Sequence, residues 1–210
     1  PEQSIPMIHV AGTNGKGSIC KMMAEVIKHS GYQVGLFTSP YIEDFRERIQ
    51  INGNLIPKEN IIEYYTKIKE KIIILEEEGF SPPSEFEVVT AMGFMHFSHE
   101  KVDVAIIEVG IGGLDDATNI INPILSVIAS ITKDHTAQLG NSITSIAKHK
   151  AGIIKGSPVV STSQLPEARK VLIEKANEVN SELEFLQSKD VKYINYSEGK
   201  QKIYYDFKTD

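Results

Sequence analysis

Seven consecutive residues, Gly12-Thr13-Asn14-Gly15-Lys16-Gly17-Ser18, combine the ingredients of a phosphate cradle. Three glycines let a loop curl until its backbone N–H groups point inward, and a helix starting there adds its positive N-terminal end. Lys16 would reach the outer phosphates of a nucleotide as a point charge. Ser18 would place a hydroxyl near a phosphate or its Mg²⁺. The loop departs from the usual G-x-x-x-x-G-K-[ST] pattern: it is shorter, and Gly17 separates the lysine from the serine. A plain strand-to-helix turn with an exposed lysine is the competing account, but such a turn does not need three glycines. A second cluster, Gly110-Ile111-Gly112-Gly113, fails as a dinucleotide fingerprint because residue 115 is aspartate.

Phosphate chemistry calls for a divalent cation, and Mg²⁺ takes hard oxygen ligands, commonly one or two protein groups plus phosphate and water. In an open α/β sheet, ligands gather at the carboxyl ends of the strands. Ser39, Glu108 and His135 stand at three such ends. Glu108 is the sharpest of them, because a carboxylate in the apolar run VDVAIIEV is costly to bury unless paired or coordinated. Ser39 before Pro40 reads equally as a turn residue, His135 as a loop cap, and Lys150 as a solvated lysine on a helix. Spacing alone leaves those alternatives open. Ser84-Glu85-Phe86-Glu87 places Ser84 three residues before Glu87, a capping box ahead of an apolar helix, which does not exclude substrate contact by the same residues.

The elements that must position these groups follow from the apolar pattern. Short apolar runs at 5–11, 34–38, 102–109, 124–131 and 158–161 predict buried strands, the third and fourth central and parallel because they alternate little. Asn52-Gly53 between alternating segments predicts a β-hairpin over 49–56. Helical spacing follows the glycine loop as far as residue 29 and covers 58–78, 142–153 and 165–180, with Gly79 stopping the second of these. The stretch 84–97 is apolar on nearly every face and predicts a buried helix. Strand and helix alternate, so the expected fold is α/β, a mostly parallel sheet with helices on both faces. Beyond residue 183 the pattern weakens to strand-like pieces at 183–186 and 203–207.

The chain has 210 residues, 41% hydrophobic and 24% charged, with a formal net charge of −6. Those values fit a globular protein, and net acidity with scattered basic residues argues against a nucleic-acid binder. A single cysteine, Cys20, rules out an internal disulfide and suits a reducing cytoplasm. No apolar run reaches the ~18 residues of a membrane span, and the N-terminal residues lack a signal-peptide layout. The expectation is a cytoplasmic protein with neither membrane nor nucleic-acid partners.

Six segments, in order, resemble one known family: HVAGTNGKGS (9–18), TSPYIEDFRERIQING (38–53), FEVVTAM (86–92), EVGIGGLDDATNI (108–120), DHTAQLG (134–140) and IAKHKAGIIKG (146–156). They are similar to folylpolyglutamate synthases, bifunctional in many bacteria with dihydrofolate synthase, of the Mur ligase superfamily. The resemblance implies a P-loop NTPase-like domain, the central domain of those ligases. It further implies an ATP-dependent ligase that phosphorylates the carboxylate of folate or dihydropteroate and lets the amine of L-glutamate attack the acyl phosphate. Carried over by motif, Gly12–Ser18 would hold ATP, with Lys16 neutralising charge on the transferring group. Ser39 and Glu108 would bind one Mg²⁺ and His135 a second. Lys150 stands where family members carry a lysine carbamate that helps hold the second metal. Ser84, Glu85, Phe86, Glu87, Asp115, Asp116 and Ala117 would lie by the pterin-bearing substrate, and family precedent implies a monomer.

The chain also departs from that family. The usual GGRLDATN reads here Gly113-Leu114-Asp115-Asp116, without the arginine and with an extra carboxylate. A family glycine before the Asp-His pair appears as Thr132 or Lys133, and the glutamate before the carbamate lysine is His149. Family members are roughly twice as long, so residues 1–210 are expected to be a single ATP-binding domain, with the C-terminal glutamate-binding domain outside the sequence. Two alternatives stand beside the ligase reading: a Mur-type ligase acting on cell-wall precursors, and a non-catalytic nucleotide-binding module.

Overall fold

The computed structural model describes residues 1–186 and the strand backbones 191–197 and 200–205. The apolar runs become strands β1 (Met7–Ala11), β2 (Val34–Phe37), β3 (Ile49–Ile51), β4 (Asn54–Leu55), β5 (Val104–Glu108), β6 (Leu125–Ile128), β7 (Val159–Ser161) and β8 (Leu183–Phe185). They form one sheet in the order β4-β3-β2-β5-β1-β6-β7-β8. The pairs from β2 to β8 are parallel, and β3 and β4 add an antiparallel edge. The expected parallel core is therefore present. β5 and β6, predicted central, flank β1.

Helices α1 (Lys16–His29), α2 (Lys58–Glu77), α3 (Glu85–His99), α4 (Thr136–Leu139), α5 (Ile143–Ala151) and α6 (Pro166–Glu178) connect the strands. One face of the sheet, with Ile8, Val10, Leu36, Ile106 and Val127, packs under α1 through Cys20 and Ala24. The alternate residues Met7, Phe37, Ala105 and Ile107 pack under α2 and α3, and Ala11, Ile128 and Val159 under α5 and α6. This period-2 division puts helices on both faces. The chain leaves β1 toward β2 and leaves β6 toward β7, in opposite directions. Such a reversal opens a crevice at the carboxyl ends of the strands, where ligands bind in sheets of this kind.

Local chemistry sets the ends of these elements. Asn52 and Gly53 take φ of 51° and 83°, the left-handed pair of a tight hairpin between β3 and β4. Ser84 caps α3 in a full capping box with Glu87. Glu78 and Gly79 end α2 as expected. Four features went unforeseen: the four-residue α4, short 3-10 turns at Phe45–Arg48 and Ala117–Ile120, and a strand over Val191–Ser197. The 3-10 turn at 45–48 did carry a signal, since Asp44 and Glu47 form a capping box of their own. Past β8, strands β9 (Val191–Ser197) and β10 (Lys200–Tyr205) pair antiparallel as a separate two-stranded sheet. The piece predicted at 203–207 thus lies partly in β10, and residues 206–207 fall outside the described residues.

Candidate functional site

The glycine loop leaves β1 and is latched to the extension of β6. Thr13 N–H donates to Ser130 O at 2.7 Å, Asn14 and Ser130 form an isolated bridge, and the Thr13 hydroxyl donates to Thr132 O at 3.0 Å while accepting from Thr132 N–H at 3.1 Å. Gly12 is obligatory in this arrangement, because a Cβ there would sit 2.6 Å from the Ala129 Cβ. Gly15 caps α1 in the left-handed conformation with no side-chain cap, which leaves the first-turn N–H groups free for an anion. Lys16 opens α1, as the loop's spacing predicted. Its only hydrogen bond among the described residues is a long one to Thr13 O, 3.4 Å.

Beneath the loop lie two buried charges. Glu108 closes β5 and is 3% exposed. Its Oε2 accepts from Ser39 N–H at 3.1 Å, so the ends of β2 and β5 bring together two predicted metal ligands. Burial pushes the Glu108 pKa up, against the pull of the Ser39 N–H and of Lys16. A Cβ on Gly17 would come within 3.4 Å of Glu108 Oε2, which places the carboxylate directly under the loop. Lys150, also 3% exposed, donates to Gly12 O at 2.8 Å. Burial and the nearby Lys16 lower its pKa to about 8, partly opposed by Asp134. The solvated-helix reading of Lys150 is therefore wrong: it lies on the buried side of α5 with Ile146, Ala147 and Ala151.

A cleft of about 860 Å³ opens over these groups. Thr13, Lys16, Ser39 and His135 line it, together with Ser84, Phe86, Glu87, Asp115, Asp116 and Ala117. Nucleotide-type and substrate-type candidates, scattered over more than 120 positions of sequence, thus face one space. Glu85 does not join them; it lines a smaller apolar hollow between α2 and α3 with Ile61, Tyr65 and Met92. His135 caps α4 with φ of 46°, and its Nε2 lies 3.5 Å from Asp134 Oδ2. Two of the departures noted in the sequence meet at the rim, where His149 Nδ1 lies 3.6 Å from Asp115 Oδ2.

Asp116 is firmly held: Oδ2 accepts from Ile111 N–H at 2.9 Å, and Oδ1 accepts from the Thr118 N–H at 3.0 Å and from the Thr118 hydroxyl. Glu87 accepts from both the N–H and the hydroxyl of Ser84 at 2.7 Å, which lowers its pKa. Sequence reasoning missed Arg48 as a cleft residue. Its guanidinium carbon sits 5.1 Å over the Tyr41 ring and 6.0 Å over Phe45, and its Nε is buried with no hydrogen-bond partner among the described residues. The segment ERIQING contains it, but no spacing marks it out.

Among the described residues no three His, Cys, Asp or Glu side chains converge as a ready-made metal centre. Mg²⁺ does not require one. A buried carboxylate under a phosphate-type loop, bonded to the backbone N–H of Ser39, a cleft-lining serine, offers hard oxygen chemistry that fits it.

The Mur ligase middle domain matches residues 10–209. The folylpolyglutamate synthase of Lacticaseibacillus casei is 44% identical over 184 residues, 87% of this chain and 43% of the relative. The dihydrofolate synthase/folylpolyglutamate synthase of Bacillus subtilis is 45% identical over 174 residues, 82% of this chain and 40% of the relative. A solved FPGS–AMPPCP–folate complex superposes with a TM-score of 0.88 at 40% identity, covering 94% of this chain and 49% of that one. The chain thus spans less than half the length of these curated relatives. Its order of motifs, its sheet and its loop-over-carboxylate site agree with one assignment: the chain belongs to the Mur ligase middle-domain family.

Proposed function

We propose that this chain is the MgATP- and folate-binding part of an ATP-dependent ligase that adds L-glutamate to folate or dihydropteroate through an acyl phosphate. The observation that carries the reading is the single cleft that Lys16, Ser39 and His135 share with Phe86 and Asp116, over buried Glu108. The relatives support it: they are folylpolyglutamate synthases, one solved with an ATP analogue and folate together. The glutamate-binding domain belongs, on this reading, to the remaining length that the relatives have. The protein then acts in the cytoplasm as a monomer, on small molecules alone.

In this account the loop N–H groups from Gly12 to Ser18 and the start of α1 bind the nucleotide phosphates. Lys16 reaches the outer phosphates and stabilises the charge that develops during transfer to the substrate carboxylate. Glu108 and Ser39 would hold one Mg²⁺, and His135 with a carbamate on Lys150 a second; bound there, the ions would neutralise phosphate charge. A pKa of about 8 leaves part of the Lys150 amine uncharged near neutrality, the form that adds CO₂ and releases a proton to become a carbamate. Asp116, Ala117, Ser84 and Phe86 form the wall against which the pterin-bearing substrate rests, with Asp115 and Glu87 beside them. Water exclusion on domain closure would protect the acyl phosphate until the glutamate amine attacks.

The test is ATP-dependent incorporation of labelled glutamate by the intact protein, with folate, dihydropteroate and a muramyl peptide nucleotide offered separately. Incorporation into a pterin substrate supports the proposal. Incorporation into the muramyl substrate alone would move it to the cell-wall ligases, and none at all would leave a binding module.

A further inference from the structure

His9 lies fully buried in β1, the central strand, where an aliphatic residue would normally stand. Its Nε2 is 2.8 Å from the hydroxyl of Thr118, 109 positions away in sequence. That hydroxyl has one proton, and it goes to Asp116 Oδ1. The Thr118 oxygen must then accept from His9, so Nε2 carries the ring proton. Nδ1 is left as a bare, buried nitrogen with no partner among the described residues. Burial, reinforced by the charge of Lys155, keeps the ring neutral, with a pKa of about 3. An unsatisfied buried nitrogen is destabilising, and a phenyl or isobutyl side chain would avoid it. The strand itself gives no reason for histidine here; the turn above it does.

That turn, Ala117–Ile120, is clamped from other directions as well. Lys155 Nζ donates to the carbonyls of Asn119 and Ile121, and the Asn119 amide donates to Leu114 O at 2.9 Å and Gly152 O at 3.3 Å. The clamps fix the backbone, whereas His9 acts on a side chain, setting which way the Thr118 hydroxyl points. Among the described residues, Asp116 Oδ1 thereby receives two hydrogen bonds and Oδ2 only that of Ile111.

We infer that His9 is a positioning residue for substrate recognition: through Thr118 it locks the Asp116 carboxylate so that Oδ2 is presented to the cleft as an acceptor for an N–H of the bound heterocycle. This rests on the reading that the cleft takes a pterin-bearing substrate. A histidine acting this way governs the affinity for that substrate and leaves the nucleotide side of the cleft untouched.

The experiment is steady-state kinetics on the intact protein, varying folate and ATP in turn, for wild type, His9→Phe, Thr118→Val, the double variant and His9→Gln. His9→Phe keeps a ring in the core but donates nothing. It is expected to raise KM for folate roughly tenfold, the factor that a hydrogen bond in a charged network commonly carries, with KM for ATP unchanged. Thr118→Val does the same and the double variant is no worse, as expected for two members of one chain of contacts. His9→Gln, whose amide can donate from a position near Nε2, restores most of the affinity. An unchanged folate KM, equal rises in both KM values, or additive losses would overturn the inference. If His9→Phe fails to fold, the imidazole ¹⁵N spectrum of the wild type decides: a protonated Nε2 with a bare Nδ1 is required, and the opposite tautomer refutes it. A wild type that ligates no glutamate to any pterin would contradict the ligase reading instead, and the same spectrum would still decide the tautomer.

Discussion

The two walls of the cleft treat charge in opposite ways. On the loop side, the buried side chains of Glu108 and Lys150 make one hydrogen bond each among the described residues, and that of Lys16 only a long contact to a carbonyl. Burial pushes the pKa of Glu108 up and that of Lys150 down, both toward the neutral form. On the far wall, exposed Glu87 and half-buried Asp116 are surrounded by donors from Ser84, Ile111 and Thr118. Groups left short of partners hold unused capacity for a charged ligand. Groups ringed by donors hold their shape, and Asp116 keeps acceptor capacity at Oδ2, which takes one hydrogen bond to the two of Oδ1. On the proposed reading, the first wall exchanges charge with phosphate and cation, and the second presents a fixed surface to a neutral ring system.

The comparison breaks most visibly at Glu108. Glu108→Gln keeps the shape and removes the charge, and glutamate ligation by the intact protein should fall by roughly a hundredfold or more, the usual scale for losing an electrostatic group at a transferring centre. Its melting temperature should hold or rise, since an unpaired buried carboxylate is removed. A fall in both would mean that Glu108 is structural.

Lys150 sharpens the same point through pH. Its pKa is about 8 in the fold against the ordinary 10.5, so below pH 8 folding must strip the amine of water while it is charged, with Lys16 repelling it and Asp134 attracting it. That penalty lifts as pH rises from 8 toward 10.5, where the unfolded chain holds more protons than the folded one. Lys150→Met should stabilise the protein by up to about 2 kcal/mol at neutral pH, the lost bond to Gly12 O offsetting part of the gain. The difference from wild type should shrink through that alkaline window in denaturant titrations at several pH values. A constant difference would contradict the assignment. Mass spectrometry of the native protein in bicarbonate, searching for one added CO₂ on Lys150, tests the carbamate independently.

The far wall should respond less than Glu108 does. Ser84→Ala removes the cap of α3 and costs about 1 kcal/mol of stability, read from the denaturation midpoint, with a rise in KM for folate smaller than that of His9→Phe. A large loss of activity there would show that the capping residues also bind substrate strongly.

Much of this was legible in the chain. Uninterrupted apolar runs gave away the central strands because strands covered on both faces have no polar side to show. Asn52-Gly53 announced its hairpin, and Ser84 with Glu87 announced α3, because those signals are local. Spacing left Lys150 open between a solvated helix face and the site, although Ile146 stands one helical turn before it on the buried stripe. A lysine is solvated by default, so its burial shows only once α5 is packed on the sheet. α4 is too short for any period to register, and β9 breaks its alternation between Tyr193 and Ile194. The His9–Thr118–Asp116 chain and the cleft position of Arg48 join residues far apart in sequence, so only the folded sheet brings them together.

The most direct measurement is a calorimetric titration of the intact protein with ATP and Mg²⁺, on wild type and Lys16→Ala in parallel. The account predicts Mg²⁺-dependent binding to wild type that weakens at least tenfold in Lys16→Ala, a loss of about 1.4 kcal/mol or more. Equal affinity in the two proteins, or wild-type binding indifferent to Mg²⁺, would contradict it.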